Sequence, residues 1–122
     1  MASERSPAAL TGYRVIELAS ERCALAGKLL ADMGAEVIVV EPPGGCHTRS
    51  WEPFADDVSE LENSLHWWHY NTSKKSVIVD LDTDIGADTF RSLVNTADVV
   101  IEAEPLGRLD ALGLASNQFG ET

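Results

Sequence analysis

Tyr13-Arg-Val-Ile-Glu-Leu-Ala-Ser-Glu-Arg-Cys-Ala-Leu-Ala-Gly-Lys-Leu-Leu-Ala-Asp-Met-Gly-Ala-Glu-Val-Ile-Val-Val-Glu41 is the stretch that decides the fold. Its first part, Tyr13 to Leu18, is β-branched and apolar for its length and reads as a strand. Ser20 is a fair N-cap, with Glu21 in the first turn. From Arg22 the period changes. Leu25, Leu29, Leu30 and Met33 fall on one helical stripe, and Gly34 follows as a C′ residue. Glu36 to Glu41 is then a short, near-continuous apolar strand. Strand, helix and strand in so short a span make a βαβ unit, and such strands suit a parallel sheet covered on both faces.

Beyond it, Pro42-Pro43-Gly44-Gly45 ends the unit and opens a long connection. Residues 46–63 hold Pro53 and the acids Glu52, Asp56, Asp57, Glu60 and Glu62. An unstructured stretch of that length is usually functional or mobile. Ser64 to Tyr70 is dense in aromatics and reads as a short helix on the sheet edge. Ser76 to Asp80 is a third strand. Asp84 caps a helix running to about Asn95, and Asp98 to Glu102 is a fourth strand. Leu109, Leu112 and Leu114 cluster in the tail. Ser116 is placed to cap a helix that has barely begun at Thr122, which suggests a truncated or split protein. The expected fold is α/β: a Rossmann-like, doubly wound, mainly parallel sheet with helices on both faces. Residues 1–9 form a loose arm, and 10–122 one domain cut short at its C-terminus. Such sheets bind ligands at the carboxyl ends of their strands, so the loops after Leu18, Glu41, Asp80 and Glu102 are the expected rim.

The chain has 122 residues, room for one domain. Nine Lys and Arg against twenty Asp and Glu give a formal charge of −11, which argues against nucleic-acid binding and against docking on anionic membranes. Cys23 and Cys46 are too few for a disulfide scaffold. No apolar run reaches the ~18–20 residues of a membrane span, and Met1 to Pro7 lacks an apolar signal core. The expected location is the cytoplasm, with the thiols free.

Several familiar chemistries find no support. The first βα turn, Ala19 to Ala24, has no glycine, against a dinucleotide fingerprint, and no P-loop string occurs. Asp80, Asp82 and Asp84 alternate like a calcium loop, but Ile85 and Arg91 stand where Gly and Glu are needed. They read better as strand-ending and helix-capping acids. His66 and His69 share a helical face without a third ligand at suitable spacing, so no metal site is expected. Packing beside Trp67, Trp68 and Tyr70 is the plainer role. No nucleophile elbow is present. Cys23 lies near a helix N-terminus, where a thiolate is stabilised; the alternative is a small apolar residue under the helix. Gly44-Gly45 either lets a ligand approach or simply turns the chain. Lys74-Lys75 is the one local basic spot, open to an anion such as a phosphate, unless it is a solvated loop.

Five strings then add up: Leu10-Thr-Gly-Tyr-Arg-Val-Ile-Glu-Leu18, Leu29-Leu-Ala-Asp-Met-Gly-Ala-Glu-Val-Ile-Val-Val-Glu-Pro-Pro-Gly-Gly45, Asn71-Thr-Ser-Lys-Lys-Ser-Val-Ile-Val-Asp-Leu81, Ala97-Asp-Val-Val-Ile-Glu102 and Leu109-Asp-Ala-Leu-Gly-Leu114. In this order they closely resemble the N-terminal part of class III CoA-transferases, the CaiB/BaiF type. The resemblance implies a Rossmann-like domain that binds coenzyme A within an interlocked homodimer. It also implies acyl-CoA transfer through a mixed anhydride on a catalytic Asp, which falls beyond residue 122, so no catalytic residue is assigned here. Family CoA contacts carry over to Arg22 and Cys23, Pro42, Val79, Asp80, Leu81 and Asp82, and Ala103, Glu104 and Pro105. Lys74, Lys75 and Arg108 complete the candidate set.

The chain departs from the family pattern at two loops. Arg22-Cys23-Ala24 stands for Ala-Gly-Pro and looks one residue short. Ala103 and Glu104 replace an Asn and an aromatic, and Glu104 would repel phosphates if it pointed inward. A basic residue usual near Leu109–Gly113 is Ala111, although Arg108 is close. Two readings follow: the CoA-binding portion of a transferase, inactive alone, or a degenerate, non-catalytic module for dimerisation or scaffolding. An unrelated nucleotide binder is the third. The expected partners are CoA or acyl-CoA, and a second copy or a partner CoA-transferase chain.

Overall fold

The computed structural model describes residues 8–115. Most of the expected N-terminal arm and the cap expected at Ser116 lie outside them. Four strands are present: β1 (Arg14–Leu18), β2 (Glu36–Glu41), β3 (Lys75–Ile78) and β4 (Val99–Ile101). All are parallel, in the order β3-β2-β1-β4. The helices are α1 (Ala24–Asp32), α2 (Leu65–Asn71), α3 (Asp84–Asn95) and α4 (Arg108–Ala111).

Alternation along the strands sorts side chains onto two faces. Ile16, Leu18, Ile38 and Val40 meet Val79, Leu81, Ala87, Phe90 and Leu114 on the α3 side. Val15 and Val37 meet Ala31 of α1 and Ala35 of the turn before β2 on the other side, where Val39 packs on Cys46 and Trp67. Helices therefore cover both faces, as expected. The same alternation sends Glu17 and Glu41, each 1% exposed, onto the α1 side.

The expected helical stripe is not the buried one. Of its four residues only Leu30 packs against the core; Leu25, Leu29 and Met33 are 53, 52 and 45% exposed, while Ala24, Gly27 and Ala31 are buried. Small residues let α1 approach the sheet closely. A Cβ on Gly27 would lie 1.7 Å from Glu17 Oε1. Nor does Ser20 cap α1. Its Oγ accepts from Arg22 N at 3.1 Å, opening a turn before the helix. At α3 the cap is Thr83, not Asp84: Thr83 Oγ1 accepts from Gly86 N at 3.0 Å. A threonine hydroxyl one residue earlier reaches the N3 amide, as capping geometry requires.

The 46–63 connection is structured. It holds 3-10 turns at His47–Ser50 and Ala55–Asp57, and Phe54 bridges to Ser64. Ser64 Oγ receives Trp67 N at 3.2 Å and starts α2. That helix lies against α1 and the His47–Ser50 turn, with Trp67 packed on Val39 of β2.

Candidate functional site

The chain crosses from β3, at one edge of the sheet, to β4 beyond β1. The strand order therefore reverses between β1 and β4, and ligands of open α/β sheets sit outside the carboxyl ends at such a point. Here that crevice is bounded by Ala19 to Cys23 after β1 and by Glu102 to Pro105 after β4, with Pro42 to Gly45 following β2.

The candidate residues divide by position. Arg22 and Pro42 are exposed on the rim. Of the described lysines and arginines, Arg22 is the one without an ion pair. Cys23 is 2% exposed. Burial pushes its thiol up to about 11, and the carboxylates of Glu17, Glu102 and Glu104 add to the shift. Burial and the neighbouring carboxylates thus favour the neutral thiol over the thiolate a nucleophile needs. Val79 and Leu81 turn inward, at 7 and 8% exposed, so this segment presents Asp80, Asp82 and backbone. Asp80 Oδ1 accepts from Asp82 N at 3.0 Å. Ala103 and Glu104 are half-buried and Pro105 is exposed.

Arg108 and Glu104 come together. Arg108 Nε lies 3.2 Å from Glu104 and Nη1 3.3 Å from Asp82. Glu104 thus neutralises the nearest cation, and the β4 side of the crevice is acidic.

Lys74 and Lys75 do not form a basic spot. The Lys74 side chain is 1% exposed, with Nζ 2.8 Å from Glu17 Oε1. Nζ also donates to Ala24 O at 2.9 Å and Asn71 Oδ1 at 3.0 Å. Its charge is consumed inside the fold, joining β1, α1 and α2. Lys75 lies at the amino end of β3, 3.5 Å from Glu36, away from the carboxyl rim.

Sequence reasoning missed Arg49, whose fork grips Glu41: Nε donates to Oε1 at 2.6 Å and Nη2 to Oε2 at 2.8 Å. Its guanidinium lies 4.0 Å over the Trp67 ring. Two further donors reach the same carboxylate, Cys46 N at 2.9 Å and Ser76 Oγ. Burial alone would raise the Glu41 carboxyl, but Arg49, Cys46 N–H and Ser76 outweigh it and hold it below its ordinary value. The available signal was an acid ending a strand and an arginine eight positions on, which no local periodicity links. His47, outside the candidate set, has Nε2 2.8 Å from Glu21 and links the β1 loop to the β2 loop. Among the described residues no three His, Cys, Asp or Glu side chains group as metal ligands, and no helix is long and apolar enough to cross a membrane.

A parallel α/β sheet with this crevice is a ligand-binding framework, and the sequence strings specify which one. The chain belongs to CoA-transferase family III, whose model matches residues 10–122. It is 50% identical over 97 residues to succinate–glutarate CoA-transferase of Agrobacterium fabrum, covering 76% of this chain and 24% of that protein. It is 35% identical over 107 residues to succinyl-CoA:(R)-benzylsuccinate CoA-transferase subunit BbsE of Thauera aromatica, covering 88% and 26%. A crystal structure of a CaiB/BaiF family protein from Brucella suis superposes with a TM-score of 0.82 at 42% identity, covering 93% of this chain and 30% of that one. The chain thus spans about a quarter of the length of these curated relatives.

Proposed function

We propose that this chain is the N-terminal, Rossmann-like, CoA-binding portion of a class III acyl-CoA transferase, which moves CoA between an acyl-CoA and a carboxylic acid. The observation that carries this reading is the family match over residues 10–122, on a sheet whose reversal point is bordered by loops the resemblance assigns to CoA. Arg22 supplies an uncommitted cation for a phosphate. Gly44, at φ +86 with nothing within 4 Å of a Cβ position, leaves backbone open to close approach. Pro42, Asp80, Asp82, Ala103 and Pro105 complete the rim. Lys74 acts from beneath, by fixing α1 against β1.

Alone, the chain is expected to bind CoA without transferring an acyl group, since the resemblance assigns the role of the reacting Asp to no residue of it. The two relatives named above act on dicarboxylic acids, so succinyl-CoA is the donor to test first. Pairing with a second copy or a partner transferase chain is supported by β4, an edge strand among the described residues with Val99 and Val100 exposed, since open edges invite association.

Calorimetric titration of CoA at low salt, with ATP as control, tests the reading. The expected result is a micromolar Kd, about −8 kcal/mol, weakened by Arg22→Glu, with no turnover of succinyl-CoA and a dimer mass by light scattering. No heat at millimolar CoA from folded protein contradicts it. That result favours the second reading, a non-catalytic module for dimerisation or scaffolding, which the acidic Glu104–Arg108–Asp82 cluster supports.

A further inference from the structure

We propose that Arg49 is a positioning residue for the ligand rim: its fork on Glu41 holds the Pro42–Gly45 turn in the shape that a coenzyme meets. This rests on the reading of the rim as a CoA site.

Glu41 closes β2, and its carbonyl accepts from Val79 N at 2.9 Å, which fixes its backbone in the sheet. Its side chain reaches forward over the turn, where Oε1 accepts from Cys46 N at 2.9 Å. One residue therefore holds both ends of the turn. Gly45 N donates to Pro42 O at 2.9 Å within it. Gly44 and Gly45 stand at φ +86 and +87, the left-handed region open to glycine. A Cβ on Gly45 would meet Arg49 Cδ at 3.0 Å, so the arginine stem forms the floor of the turn.

Arg49 also gathers the rest of the connection. Nη1 donates to Leu61 O at 3.3 Å and lies 3.5 Å from Glu62, while the guanidinium stacks on Trp67 of α2. The end of β2, both ends of the 46–63 connection and α2 meet on one planar cation. Lysine cannot substitute for it. An ammonium makes no bidentate contact and does not stack as a plane.

The test compares wild type with Arg49→Lys, following amide hydrogen exchange and CoA affinity. The expected result is a folded variant in which Cys46 N–H exchanges at least about tenfold faster and CoA binds about tenfold more weakly. The α3 amides, on the opposite face, stay unchanged. Ser76→Ala removes one donor to Glu41 and leaves the fork, so it keeps the question open to measurement if Arg49→Lys does not fold. It is expected to raise the Kd about two- to fivefold. Unchanged Cys46 protection, or wild-type CoA affinity in a folded Arg49→Lys protein, overturns the proposal. Wild type that binds no CoA while Arg49→Lys loosens Cys46 instead sinks the CoA reading and upholds the clamp on the turn.

Discussion

Glu17 and Glu41 lie on the same face of neighbouring strands, each 1% exposed, and their carboxyls shift in opposite directions. Desolvation raises Glu17, and the Lys74 hydrogen bond and charge only partly offset it. Oε1 of Glu17 receives no aligned hydrogen bond although the ammonium is 2.8 Å away. Glu41 has a planar fork, a backbone N–H and a hydroxyl, and is lowered below 4.5 despite burial. The difference is the number and alignment of donors, since each donor to the charged form favours it. The sign of the pH effect follows. A lowered carboxylate stabilises the fold above its unfolded pKa, and that stability is lost as pH falls through the folded value. A raised one contributes below its unfolded pKa and loses that contribution as pH rises. Chemical denaturation from pH 7 downward should therefore show wild type ahead of Glu41→Gln by about 3–5 kcal/mol at pH 7, the cost of leaving Arg49 unpaired. The gap should narrow below pH 4.5. A gap independent of pH would contradict the role given to the Glu41 charge.

At the scale of elements, the βαβ unit was legible because strand and helix periods differ sharply and the strands are continuously apolar. The face of α1 was not. Large apolar residues were expected inward, but Leu25 and Leu29 face out, and Gly27 lies inward because Glu17 and Lys74 occupy the space beneath it. A buried ion pair between residues 57 positions apart leaves no trace in a helical stripe. For the same reason Lys74 read as an open cation. Gly27→Ala tests this packing. Helix propensity alone favours alanine by about 1 kcal/mol. Displacing the ion pair is expected to reverse the sign, for a net loss of about 1–3 kcal/mol by denaturant midpoint. A gain in stability would mean that Glu17 moves aside freely.

Over the whole molecule, the charge of −11 is unevenly matched to the rim. Arg108 is paired with Glu104 and Asp82, while Arg22 has no ion pair among the described residues. The four rim segments were legible because loops at strand ends are set by element order alone. Which of their side chains turn inward was not, because Val79 and Leu81 are buried by contacts with α3 and Leu114, far away in sequence. A groove of about 580 Å³ runs beside β4, lined by Val99, Val100, Leu106 and Leu109 with Glu102 and Glu104 at its end. A separate cavity lies at the amino end of the sheet, between Arg14, Glu36 and Asp98. Binding of CoA at the carboxyl-end crevice is tested by mapping amide chemical-shift changes as CoA is added to labelled protein. Changes are expected at the amides of residues 19–23, 44–45, 79–82 and 103–104. Changes clustered around Arg14 and Glu36 instead, or none at saturating CoA, would contradict it.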